Sequence, residues 1–149
     1  QESLTLSQEG CWLSNGQEIT HQGTIDAFFR GLTQDPDKNW KIKVGSEEKV
    51  VRIEDTPAFV RSISGSNHQG YRIHLLGGGL EELNLKTLRY TPGRLTCTTQ
   101  AGWEAKFLRA PYHELLKTLE QDEHGYFIKI KGARVDLSAR EAQTLAPKK

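Results

Sequence analysis

The sequence predicts an α+β fold of mostly antiparallel strands with two amphipathic helices, and three observations carry that reading. Apolar residues recur at helical spacing twice, as Ile25, Phe28, Phe29 and Leu32 and then as Tyr112, Leu115, Leu116 and Leu119. Much of the remaining chain alternates apolar and polar residues over short runs, the pattern of half-buried strands. Each helical stretch is also followed by a lysine-striped run, Trp40-Lys41-Ile42-Lys43-Val44 after the first and Tyr126-Phe127-Ile128-Lys129-Ile130 after the second. The two helix-plus-strand units therefore echo one another, and an internal duplication is expected.

Taken in order, residues 11–19 read as a hairpin around Asn15-Gly16, because both turn positions tolerate a positive φ. Thr20 is expected to cap the first helix and Asp35-Pro36-Asp37 to stop it. Trp40 to Val44 is a strand, Gly45 to Glu47 turns the chain, and Lys49 to Ile53 returns. Pro57 cannot donate to a ladder, so pairing pauses there before Phe59 to Ile63 continues. Ser64 to Gly70 is read as a polar loop. Tyr71, Ile73 and Leu75 then share one strand face, with Arg72 and His74 on the other. The triple glycine 77–79 is a wide hairpin turn, followed by strand-like runs at Leu83 to Leu85 and Leu88 to Tyr90. After a Thr91-Pro92-Gly93 turn, Leu95 to Thr99 pairs with Trp103 to Leu108. Pro111 suits the first turn of the second helix, where its missing N–H costs nothing. Val135 to Leu137 closes the fold, and Ser138 to Lys149 reads as a polar tail continuing into a short helix.

The chain has 149 residues, with 20 Lys and Arg against 19 Asp and Glu. That length fits one domain or two small lobes sharing a core. A balance of +1 supplies no long-range field for duplex nucleic acid or an anionic membrane, so neither partner is expected. No run approaches the ~20 apolar residues of a membrane helix, and a cytoplasmic location is the default expectation. The sequence contains no Met, which leaves processing of the N-terminus open. Cys11 and Cys97 lie far apart in no metal-type spacing, so two buried thiols are favoured over a disulfide.

Catalytic chemistry is sparse. The five histidines form no zinc spacing, no Gly-x-Ser-x-Gly elbow occurs, and the glycine run lacks the Lys of a phosphate-binding loop. No catalytic residue, metal ligand or cofactor is assigned. Glu54 and Asp55 are adjacent carboxylates, which on a strand point to opposite faces and cannot serve one bond as an acid/base pair. Alternation places Arg52 with Glu54 on the polar face and Asp55 with Val51 and Ile53 on the apolar one. A carboxylate turned inward must be paired or hydrogen-bonded. Either Asp55-Thr56-Pro57 is a bulge capped by its own carboxylate, or Asp55 meets an arginine such as Arg61 at a lobe interface.

Three stretches together resemble the bacterial family labelled domain of unknown function 1285 (DUF1285). They are Val51-Arg-Ile-Glu-Asp-Thr-Pro-Ala-Phe-Val60, the segment from Trp12 to Leu32, and Trp103-Glu-Ala-Lys-Phe-Leu-Arg-Ala-Pro-Tyr-His-Glu-Leu115. The Glu-Asp-Thr-Pro block is the specific part of the match. The resemblance implies a duplicated core whose second half is similar to pleckstrin-homology folds. It also implies a pocket between the halves suited to a nucleotide-like molecule in signalling. Carried over residue by residue, it points to Glu54, Asp55, Thr56, Phe107, Arg109 and Tyr112. Gly45 to Lys49 and the inserted Ala58 depart from the family pattern near that pocket. The expected organisation is an N-terminal lobe, 1–64, packed against a C-terminal lobe, 65–149. The expected function is a module binding a small anionic ligand, with a protein–protein adaptor and an enzyme of unrecognised type as alternatives.

Overall fold

The structure, a computed structural model, describes residues 3–137; the expected tail helix from Ser138 lies outside the described residues. Six strands form the first sheet: β1 (Leu4–Leu6), β2 (Trp12–Ser14), β3 (Gln17–Glu18), β4 (Leu32–Gln34), β5 (Trp40–Val44) and β6 (Glu47–Ile53). A second six-stranded sheet follows: β7 (Ala58–Ser66), β8 (Gly70–Leu75), β9 (Leu80–Glu82), β10 (Arg89–Thr91), β11 (Arg94–Thr98) and β12 (Glu104–Phe107). Helix α1 (Gln22–Gly31) connects β3 to β4, and α2 (Arg109–Leu116) leads from β12 to a three-stranded sheet of β13 (Glu120–Asp122), β14 (Gly125–Ile130) and β15 (Ala133–Asp136).

The two larger sheets share one topology. The first runs β3-β2-β1-β6-β5-β4 and the second, read from its far edge, β9-β8-β7-β12-β11-β10. In each, an outgoing antiparallel meander and an incoming one meet along a single parallel pair, β1 with β6 and β7 with β12. All other pairings among the described strands are antiparallel. Residues 4–53 and 58–107 are thus two units of equal length with the same strand order, consistent with internal duplication. The helix-and-meander echo is present as well, since α1 precedes β4–β6 and α2 precedes β13–β15. The chain passes between the two sheets at residues 54–57.

Two apolar clusters divide the interior. Leu4, Leu6, Trp12, Leu32, Ile42 and Val51 of the first sheet are buried under Ile25, Phe28 and Phe29 of α1, whose phenyl rings meet Trp12 edge-on at 5.3 and 5.4 Å. Val60, Ile73, Leu95 and Phe107 of the second sheet are buried with Leu115 of α2 and Ile128, Ile130 and Leu137 beyond it. Phe59 crosses this division: it belongs to β7 yet packs fully buried in the first cluster, where Trp103 also sits edge-on to Trp40 at 5.0 Å.

Several element ends differ from the sequence expectation. The α1 cap is His21 and not Thr20; its imidazole Nδ1 accepts from the Thr24 N–H at 3.1 Å, a role patterning normally gives to Ser, Thr, Asp or Asn. Leu32 does not extend the helix but opens β4. At Gly31 the chain passes so close to β5 that a Cβ there would strike the Lys43 carbonyl, so the helix ends and Asp35-Pro36-Asp37 forms the β4–β5 turn instead. The helix α2 likewise ends at Leu116, before Leu119. Ser64 to Ser66, expected in a loop, complete β7, whose register shifts by a bulge between Val60 and Ser62. Leu83 to Leu85 is not a strand: β9 ends at Glu82, and a 3-10 turn, Leu85–Thr87, starts on the Asn84 side chain. The Asn15-Gly16 turn, with φ of 51° and 87°, is the expected type I′ geometry. Both cysteines are free thiols, Cys97 buried and Cys11 half-buried.

Candidate functional site

Asp55 lies just past the end of β6, where strand alternation no longer fixes its direction. Its carboxylate reaches over the second sheet and accepts from Arg94 Nη2 at 2.6 Å and from Lys106 Nζ at 3.0 Å. These partners sit on adjacent strands: Thr96 of β11 lies opposite Lys106 of β12, and alternation puts Arg94, Thr96 and Lys106 on one face, away from Phe107. Arg94 also approaches Glu104 at 3.8 Å. Partial burial alone would raise the Asp55 pKa, but the two cationic hydrogen bonds prevail and hold the carboxyl below its ordinary value. Thr56 beside it is fully buried and donates to the Ala58 carbonyl at 2.8 Å, which fixes the linker between the sheets. Asp55 is therefore paired although it lies outside the regular strand, and its partners are Arg94 and Lys106, not Arg61.

Lys106 also faces a groove of about 570 Å³ bordered by both units. One wall is the β1–β2 loop with Gln8 and Glu9; the other is the start of α2 with Phe107, Leu108, Arg109, Tyr112 and His113. The loop is held by Ser7, whose hydroxyl accepts from the N–H groups of Glu9 and Cys11, and by Glu54, whose Oε1 accepts from the Gln8 N–H at 3.3 Å. Gly10, at φ 87°, lets this loop close onto Phe59 and Leu76. On the other wall, the Leu108 N–H donates to the Val60 carbonyl, which seats the start of α2 at the end of the parallel strand pair. The Tyr112 hydroxyl accepts from the Gly93 N–H at 2.9 Å and so ties α2 to the β10–β11 turn. Burial first, and the adjoining Tyr112 hydroxyl second, push the Tyr90 phenol up to about 12, so Tyr90 is uncharged at neutral pH.

The residues singled out from sequence divide accordingly. Phe107, Arg109 and Tyr112 line the groove together. Glu54, Asp55 and Thr56 form its supporting edge through Gln8, Lys106 and the linker. Arg52 and Arg61 are exposed outside it, Arg52 on the face of β6 opposite Val51 and Arg61 at the β7 bulge. Lys106 and Arg94 escaped sequence reasoning. The available signal was alternation along β12, which puts Lys106 opposite the buried Phe107.

The groove is lined by Lys106 and by the exposed residues Arg109 and His113, with Glu9 the one acidic residue in its lining. Arg109 has no ion-pair partner among the described residues. A second cleft along the seam, about 230 Å³ between α1, the β8–β9 turn and Trp103, is smaller and chiefly apolar; there Gly77 touches Phe29 where any Cβ would collide. The glycine run is thus a turn against a helix. Neither thiol is poised as a nucleophile, because burial above all raises both, Cys97 to about 12. Among the described residues no cluster of His, Cys, Asp and Glu could hold a metal ion, and no helix is long and apolar enough to cross a membrane.

No family model and no curated protein matches this sequence. Solved structures do. A DUF1285 family protein from Silicibacter pomeroyi DSS-3 superposes with a TM-score of 0.70 at 15% identity, covering 95% of this chain and 82% of that one. A DUF1285 family protein from Shewanella baltica OS155 gives 0.61 at 18% identity, covering 78% of this chain and 91% of that one. The fold is therefore that of the family whose Glu-Asp-Thr-Pro block the sequence resembles.

Proposed function

We propose that this chain, sharing its fold with the DUF1285 proteins, is a binding module that holds a small anionic ligand in the groove between the β1–β2 loop and α2. The observation that carries the reading is the convergence of Lys106, Arg109 and His113 on one concave surface to which both units contribute. Arg109 supplies the primary contact, because its fork of N–H donors matches a phosphate or carboxylate and no ion pair competes for it. Lys106 has a second role. It is already hydrogen-bonded at 3.0 Å to Asp55, a carboxylate it shares with Arg94, so it positions the wall and adds field to the groove without being a free cation. Nucleotides and phosphorylated metabolites are the ligand classes that fit, in keeping with the signalling role implied by the family resemblance.

The test is a thermal-shift panel of nucleotides and sugar phosphates, followed by amide NMR titration of any hit. A hit is expected to raise the melting temperature and to move the amides of Gln8, Arg109 and Tyr112. Arg109→Ala is expected to weaken it about tenfold, the loss of one charge-assisted contact. A panel with no stabilising member, together with an Arg109→Ala protein indistinguishable from the parent, would sink the reading.

A further inference from the structure

The β14–β15 turn, which contributes no residue to the groove lining, is built against its own preferences. Ile130 pairs with Ala133, so Lys131 and Gly132 form a two-residue type I′ turn with φ of 58° and 78°. The first position of such a turn favours Asn, Asp or Gly, because other side chains clash with the backbone in the left-handed region. The chain obeys this in the same turn between β2 and β3, where Asn15 fills the position. A lysine at Lys131 is therefore held in a conformation that its own backbone disfavours.

Its surroundings hold it there. The Lys131 N–H donates to the Asn67 carbonyl at 2.6 Å, joining this turn to the tip of the β7–β8 hairpin. The lysine stem lies over Gly70, where an added Cβ would come within 2.9 Å of Lys131 Cε. A glycine notch thus seats the chain that carries the ammonium. That ammonium borders a cleft of about 440 Å³ whose other wall carries Lys86, on the 3-10 turn begun by Asn84. Neither lysine has an ion-pair partner among the described residues. Glu82, Asn84 and Gln100 complete a polar rim.

We infer that this cleft is a second binding site, for a compact phosphate-bearing metabolite. Lys86 and Lys131 grip the phosphate and Glu82 accepts from a hydroxyl or amine on the remainder. Residues held in sparsely populated backbone regions cluster at binding sites, and here that geometry holds one of the two free cations beside the cleft. The site is independent of the groove at α2 and stands or falls separately.

The experiment is an amide NMR titration with inorganic phosphate at constant ionic strength, on the parent protein, Lys131→Asn, Lys86→Gln and Arg109→Ala. Saturable shifts at Gly70, Lys86 and Lys131 are expected in the parent and in Arg109→Ala. They should weaken about tenfold in Lys86→Gln and Lys131→Asn, the loss of one charge-assisted contact. Asn suits the turn better than Lys, so Lys131→Asn should melt at the same temperature or higher. Non-saturating shifts, phosphate affinity unchanged by both lysine substitutions, or a lower melting temperature for Lys131→Asn would each overturn the inference.

Discussion

Asp55 is held by two cations from strands that lie 39 and 51 residues away in sequence. Its side chain is 22% exposed, so the pairing is only partly screened by water, whereas Arg94 at 41% is more so. Asp55→Ala is expected to lower unfolding stability by about 1–2 kcal/mol in urea titration, toward the lower end for charge-assisted hydrogen bonds. The pH dependence follows from the depressed carboxyl. Its contribution is complete above the ordinary carboxylate value of about 3.9 and is lost as pH falls through the lower folded-state value. Parent and variant stabilities should therefore converge on strong acidification and differ at neutrality; a gap that persisted in acid would assign the loss to packing. Sequence patterning called for a partner to Asp55 only if the strand stayed regular, and it did not say which one. Alternation is a local property, while the partner depends on how β11 and β12 come to lie beside the linker.

Among the elements, local signals were read well and their limits poorly. The Asn15-Gly16 turn, the Pro92-Gly93 turn and the cores of both helices follow from residues within a few positions of one another. The end of α1 does not, because it is set by the Lys43 carbonyl on a strand formed later in the chain. Gly31→Ala weighs the two influences. Alanine is favoured over glycine in a helix interior by up to about 1 kcal/mol, less at this last position. Overpacking against a backbone carbonyl that cannot swing away costs about 1–3 kcal/mol. The clash should win, giving a net loss of about 1–2 kcal/mol in chemical denaturation; a stabilised variant would mean that β5 yields easily.

At the scale of the molecule, the repeated helix-and-strand pattern was legible, but the larger six-strand repeat was not. That repeat is defined by the two parallel pairings, each joining the first and last strand of a unit, and no local pattern encodes them. Phe59 and Trp103 bind the units together by placing side chains of the second unit in the first cluster. Phe59→Ala is accordingly expected to lower global stability by about 3–5 kcal/mol, the range for a fully buried phenylalanine. Hydrogen exchange should show β5 and β12 losing protection together. Protection lost from the first sheet alone would show that the units open separately.

The parallel pair at the centre of each sheet has a further consequence for how such a chain can grow. Because β1 and β6 run the same way, the backbone leaves the first unit in the direction in which it came, and β7 and β12 repeat this. Copies can therefore be strung head to tail through a linker as short as residues 54–57, with no return crossing. A gene segment copied in tandem would need only that brief joint to give a second foldable sheet, whereas sealing one unit into a circle would require new chain to run back along the strands. The arrangement makes lengthening by duplication easy and circular permutation hard.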